Sequence, residues 1–171
     1  MQDVIIIGCG VVGAACAYRL SRFRLRLTVL EALSDVAGGT TKANSAILHG
    51  GYDPEPDTRM ARLNVEGVGM AEEICARLDV PYRKTGSLVL AFSEEDRALL
   101  RTLLERGERN GVTGLRILSG DEARALEPEL SGEVLEALLA PSAAIVNPWE
   151  YALAMAETAV RNGAELHRSC P

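Results

Sequence analysis

Three glycines and one acid carry the strongest chemical signal in the chain. Gly8-Cys9-Gly10-Val11-Val12-Gly13 directly follows the β-branched run Val4-Ile5-Ile6-Ile7 and directly precedes the small-residue stretch Ala14–Leu20. A glycine triplet at this spacing gains meaning only from a strand before it, a helix after it and an acid at the end of the next strand. All three are present here, because Glu31 lies 18 residues beyond Gly13 and closes the alternating run Leu25–Leu30. The glycines then have separate tasks. Gly8 permits the tight turn off the strand, Gly10 lets a pyrophosphate approach the backbone, and Gly13 lets the helix pack close to the sheet. The N–H groups of Val11, Val12 and Gly13 open the helix and offer its partial positive charge to a phosphate. Glu31 is placed to accept hydrogen bonds from the adenosine ribose hydroxyls, and its charge disfavours a 2′-phosphate.

This fingerprint does not by itself separate nicotinamide from flavin dinucleotides. The segment after Glu31 does. Residues Leu33–Pro56 lack a clear period and are rich in Gly, Ser, Thr, Asn and Asp, and a loop of that length inside a compact domain is usually functional. Thr40, Thr41, Lys42, Asn44 and Ser45 supply hydroxyls, an amide and a cation suited to a ribityl chain and a second phosphate. Gly50 and Gly51 would let a flat ring system lie against the chain, so FAD is the cofactor the residues favour. Lys42 is read either as a phosphate or flavin contact or as a solvated loop charge. His49 has the chemistry of a base near neutral pH, or it packs in the loop without a chemical role. Arg59 and Arg62 either face an anionic substrate or sit on a solvated helix face. Cys9, Cys16, Cys75 and Cys170 are scattered, which argues for reduced thiols and against a metal or disulfide framework.

The elements that must position these residues can be read from periodicity. Val4–Ile7 reads as a strand buried on both faces. With the helix after Gly13 and the strand at Leu25–Leu30 it makes a right-handed crossover. A helix over residues 59–79 recurs apolar at Met60, Leu63, Val68, Ala71, Ile74, Cys75 and Leu78, so that face should be buried. After Pro81 the composition changes. A strand at residues 86–92 leads to a helix capped by Ser93 and ending near Asn110-Gly111. A short strand at 116–118, a short helix opened by Ser119-Gly120 and a strand at 134–140 follow. Pro148 then starts a helix that stops at Asn162-Gly163, and residues 164–167 open a further strand. The division is therefore a nucleotide-binding part at 1–80, an inserted α+β segment at 81–141, and a return to the first domain at 142–171.

Composition excludes several function classes. With 47% hydrophobic and 25% charged residues, the chain belongs among globular proteins and not disordered ones. The net charge of −6 and the absence of a basic cluster argue against a nucleic-acid partner. The N-terminus has no positive region, and its apolar run breaks at Gly8, so it matches neither a secretion signal nor a membrane span. A cytoplasmic location is expected.

The segment Thr40–Tyr52, the stretches Leu63-Asn64-Val65-Glu66-Gly67, Pro81-Tyr82 and Gly86-Ser87-Leu88, then Leu126-Glu127-Pro128, Ala140-Pro141 and Ile145–Pro148 occur in an order that resembles the D-amino-acid-oxidase-like FAD-dependent oxidoreductases. Within that superfamily the chain is most similar to the anaerobic glycerol-3-phosphate dehydrogenase and L-2-hydroxyglutarate oxidase branch. The resemblance implies a Rossmann-like α/β FAD-binding domain with the start of an α+β substrate domain inserted. It also implies hydride transfer to flavin from a carbon bearing a hydroxyl, in a small-molecule substrate such as glycerol 3-phosphate or an L-2-hydroxy acid, with the electron acceptor left open. It places His49 near the flavin ring, as a covalent tether or a substrate-side residue. The alternatives are an amine or amino-acid oxidase, and a truncated nucleotide-binding module without catalysis. Three strands are readable where a doubly wound sheet has about five or six, so the chain reads as the front part of a longer enzyme. Exposed edges would favour self-association.

Overall fold

β-Branched residues at the N-terminus build β1 (Val4–Ile7), and the glycine turn hands the chain to α1 (Val11–Leu20) and then to β2 (Leu27–Leu30). This computed structural model describes all residues, Met1–Pro171. A single 3-10 turn at Thr40–Lys42 and a two-residue strand, β3 (Ile47–Leu48), interrupt the long loop. Then come α2 (Arg59–Leu78), β4 (Tyr82–Arg83), β5 (Ser87–Ala91), α3 (Glu94–Arg109) and β6 (Arg116–Ser119). The chain closes with α4 (Gly120–Leu126), β7 (Glu136–Ala140), β8 (Ala144–Val146), α5 (Pro148–Arg161) and β9 (Glu165–His167). It divides into two units, one of residues Met1–Ala46, Ile74–Tyr82 and Val146–Pro171, the other of Ile47–Glu73 and Arg83–Ile145.

In the first unit β1, β2 and β9 form a parallel sheet in the order β1-β2-β9, with Ile7 opposite Leu30 and Leu30 opposite His167. Helices α1 and α5 share a core with this sheet. Ala14 and Ala17 of α1 and Ala152, Ala156 and Ala159 of α5 are buried, and Leu27, Val29 and Met155 fill the space between them. Alanine at these positions lets two helices and a strand approach closely, which a larger residue would prevent. Each fully buried leucine side chain contributes about 1.5–3 kcal/mol.

β1 corrects the expectation of a strand buried on both faces. Val4 and Ile6 pack into the core, but Ile5 is 56% and Ile7 88% exposed. The physical reason is the alternation of a strand. β1 is an edge strand, and only one of its faces meets packed side chains. The expected apolar face of α2 is also only partly realised. Ala71 and Cys75 are buried and Ile74 and Leu78 pack against the first core, whereas Met60 is 68% and Leu63 51% exposed.

The second unit is built on an antiparallel sheet, β5-β7-β6, in which Ser87 pairs with Ala140 and Arg116 with Leu139. Leu100 and Leu103 of α3 bury against Ala91 and Leu138. Ser93 caps α3 through a capping box with Asp96, and Ser119 caps α4 through one with Glu122, so two orphan N–H groups are satisfied at each helix start. Arg97 and Arg101 of α3 both reach the Glu136 carboxylate of β7, at 2.7 and 2.6 Å. Their guanidinium hydrogen bonds hold its carboxyl down at about 2. β3 and β8 pair antiparallel through Ile47–Ile145 and Leu48–Ala144. These strands of two and three residues are too short to show a period, so sequence patterning did not reveal them.

Candidate dinucleotide-binding site

The glycine turn is held by its own backbone before any ligand is considered. Gly8 adopts φ +91°, a region that favours glycine, and its N–H donates to Leu30 O at 2.7 Å. Cys9 is tied on both sides: its N–H donates to Glu31 Oε2 at 2.6 Å, and its carbonyl accepts from Ala37 N at 3.0 Å. Gly10 sits at the N-cap of α1 without a side-chain cap. The Thr41 hydroxyl accepts from Val11 N at 3.0 Å, and the next helical bond is Ala14 N to Gly10 O. The N–H groups of Val12 and Gly13 therefore remain open at the helix start.

The two inner glycines differ in what surrounds them. A Cβ on Gly13 would lie 2.0 Å from the Gly8 carbonyl oxygen and 3.4 Å from Ile6 Cγ2. Gly13 is thus required by the packing of the helix against the turn and strand. A Cβ on Gly10 would meet only the Thr41 hydroxyl, at 3.2 Å, and otherwise project into a cleft of about 580 Å³. Ile7, Gly8, Gly10, Val12, Thr40 and Thr41 line that cleft, together with Asn44. Open N–H donors, a helix N-terminus and space kept by a missing Cβ fit the pyrophosphate of an ADP-containing cofactor.

Glu31 is buried at 8% exposure. Its Oε1 accepts from Leu33 N at 2.8 Å while Oε2 holds Cys9 N. The acid therefore braces the glycine turn, and each oxygen keeps a second lone pair for a further donor. Burial, reinforced by the Glu31 charge, pushes the Cys9 thiol up to about 11, so Cys9 is an inert core residue.

The other sequence-selected residues fall into three groups. Thr41 is buried at the helix start, and Thr40 lines the cleft. Asn44 lines it too, but its amide is used by the loop: Nδ2 donates to Thr40 O and Thr41 O, and Oδ1 accepts from Ala46 N. Lys42 and Ser45 are exposed and do not line the cleft. His49 and Gly50 belong to the second unit, where His49 is exposed and Gly50 buried. Ser142 Oγ donates to Gly50 O at 3.2 Å, and a Cβ on Gly50 would meet Ser142 Oγ at 3.0 Å and Ala140 Cβ at 3.2 Å. Side-chain packing alone explains that glycine. Arg59 and Arg62 line a separate cleft of about 470 Å³ with Asp57 and Arg109.

Sequence reasoning missed Ala37. This residue is 1% exposed at φ +57°, and it donates the bond that fixes the Cys9 carbonyl. A non-glycine residue in the left-handed region costs about 1–3 kcal/mol, and nothing in the run Asp35–Gly39 signals it.

Comparison with known proteins now decides the family. Residues 3–171 match the DAO family, described as FAD dependent oxidoreductase. The chain belongs to that family. It is 44% identical over 169 residues to a glycerol 3-phosphate dehydrogenase of Caloramator mitchellensis, matching 99% of this chain and 35% of that protein. It is 33% identical over 155 residues to a mitochondrial L-2-hydroxyglutarate dehydrogenase of Arabidopsis thaliana, with 91% of this chain and 32% of that protein covered. Among solved structures, an FAD-bound L-alpha-glycerophosphate oxidase of Mycoplasma pneumoniae superposes with a TM-score of 0.92 at 30% identity, over 98% of this chain and 44% of that one. The chain thus spans less than half the length of these relatives.

Proposed function

We propose that the chain carries the ADP-binding part of an FAD-dependent oxidoreductase that oxidises a hydroxyl-bearing small molecule of the glycerol 3-phosphate or L-2-hydroxy acid type. The observation that supports this most is the pair of open N–H groups at Val12 and Gly13, above a turn braced by Glu31 and Thr41. When bound, FAD supplies the hydride acceptor at N5 of its ring. The chain's own residues bind and orient. Val12 and Gly13 would donate to the pyrophosphate, and Glu31 would offer its remaining lone pairs to the adenosine ribose. Thr40, which lines the cleft, would hold the flavin-side phosphate, with Lys42 supplying charge from outside the cleft. His49, exposed in its loop, would stand near the flavin ring, either as a covalent tether or facing the substrate hydroxyl. The substrate class rests on the dehydrogenases and oxidases named above. Amino-acid oxidation has weaker support, because the glycine oxidase of Geobacillus kaustophilus aligns at 24% identity and shares the fold alone. The proposed location is cytoplasmic, and no helix is long and apolar enough to cross a membrane.

The test is anaerobic reduction of FAD-loaded protein spanning the full length of the relatives. The 171-residue chain covers only 32–44% of them and alone is expected to be nearly colourless and inactive. Glycerol 3-phosphate or L-2-hydroxyglutarate should bleach the flavin absorbance. Bleaching by amino acids alone would overturn the substrate class, and failure to retain FAD would overturn the cofactor assignment.

A further inference from the structure

The chain's charge of −6 hides a local excess of the opposite sign, which corrects the sequence reading that found no basic cluster. Arg19, Arg22, Arg24 and Arg26 fall within eight residues around the turn that joins α1 to β2, and all four are exposed. Arg26 is bonded to Asp3 at 2.8 Å. Arg22 lies over the Tyr18 ring and donates to its hydroxyl, which is a neutral partner. From α5, Asn162 reaches the same turn through Ser21, and the nearby Arg161 is paired with Glu157. Arg19, Arg22 and Arg24 thus have no acidic partner.

Two apolar side chains are set among these cations. Phe23 is 65% and Leu25 38% exposed. The turn is fixed by short-range bonds, Phe23 N to Leu20 O and Leu25 N to Phe23 O, both at 2.9 Å. It therefore presents the Phe23 ring on an ordered loop. The turn lies at the C-terminal end of α1, whereas the glycine turn lies at its N-terminal end. At about 1.5 Å per residue a helix of 10 residues separates the two by roughly 15 Å, so a partner here leaves the cleft free.

We propose that the Arg19–Arg26 turn docks the protein on a lipid surface bearing anionic headgroups. Unpaired guanidiniums match the negative charge of such a surface, and the aromatic ring between them matches the boundary between headgroups and acyl chains. A single turn favours a membrane over a protein partner. A stable protein interface buries about 800 Å² on each side, more than one short loop presents, whereas a bilayer deforms to meet a small projecting patch.

Co-sedimentation with vesicles tests this. The protein should pellet with phosphatidylcholine vesicles that contain phosphatidylserine and stay in solution with phosphatidylcholine alone. Raising salt from about 0.1 M to about 1 M, which shortens the screening length from about 10 to about 3 Å, should release it. Arg24→Ser should weaken binding about fivefold, and Phe23→Ser about tenfold or more, with thermal melting curves unchanged because both side chains are exposed. Arg116→Ser, on a different unit, should bind as the parent does. Equal binding to neutral and anionic vesicles, no effect of either turn variant, or retention by polyglutamate or DNA without retention by vesicles would each overturn the proposal.

Discussion

The turn at Gly8–Gly13 and the segment His49–Gly51 are both glycine-rich, and both were read from sequence as cofactor contacts. The structure gives their glycines different surroundings. At Gly10 the space where a Cβ would stand opens onto a cleft, with only the Thr41 hydroxyl nearby. At Gly50 it is occupied by Ser142 and Ala140, and at Gly51 by Val65 and Val112, at 2.8 and 2.9 Å. A glycine therefore points to a ligand only when the protein itself does not fill the missing side chain's place. The first segment is built around an opening. The second is packed, and its exposed group is the His49 side chain.

Substitution separates the two most strongly at Gly13 and Gly51. Gly13→Ala puts a Cβ 2.0 Å from a backbone oxygen, so the turn must move. We expect a loss of about 3 kcal/mol in urea denaturation together with loss of ADP binding by calorimetry. Gly51→Ala is strained as well, at φ +88°, and should destabilise by a similar amount. It should nevertheless leave the ADP affinity of the folded protein unchanged. If Gly51→Ala abolished ADP binding while the protein stayed folded, the contrast would fail.

Glu31 sharpens the comparison further, because it braces the turn, lies outside the lining of the phosphate cleft and is the acid proposed for the ribose. Glu31→Ala leaves the Cys9 and Leu33 N–H groups without their acceptor. The expected cost is about 1–3 kcal/mol in stability, with a parallel loss of ADP affinity. Glu31→Gln retains an acceptor for one of the two N–H groups and should fall between the variant and the parent. Equal ADP affinity in all three proteins would show that the brace does not shape the site.

The smallest expected effect lies in the second unit. Glu136 is held at about 2 by the hydrogen bonds of Arg101 and Arg97. A carboxyl depressed in the folded state contributes stability above its unfolded value and loses it as pH falls through the folded one. That contribution is thus fully present above about pH 4.5 and lost towards pH 2. Melting curves over this window should fall less steeply in Glu136→Gln than in the parent, and equal slopes would show that the arginine pair contributes nothing.

Much of the fold was legible because its signals are local. Ser93 and Ser119 announce their helices by capping chemistry, Pro148 and Asn162-Gly163 bracket α5, and the spacing of Gly8, Gly10, Gly13 and Glu31 marks the crossover. What was not legible depends on contacts distant in sequence. β-Branching at Ile5 and Ile7 says strand, but only the sheet order shows β1 to be an edge and only the packing shows its Ile5–Ile7 face to be open. Asn44 lines the cleft while its amide ties Thr40, Thr41 and Ala46 together, a second use that its place in the sequence does not show. Ala37 carries no mark of the left-handed turn that holds Cys9. Gly50 shows the same limit, since Ser142 lies far from it in the chain.

The central claim is that the opening above Gly10 receives a pyrophosphate. Titration of the isotopically labelled protein with ADP, followed by amide NMR, tests it most directly. The largest shifts are expected at the Val12 and Gly13 amides, with no binding in Gly10→Val, whose side chain would project into the cleft where the pyrophosphate lies. Shifts centred elsewhere, or undiminished affinity in Gly10→Val, would contradict it.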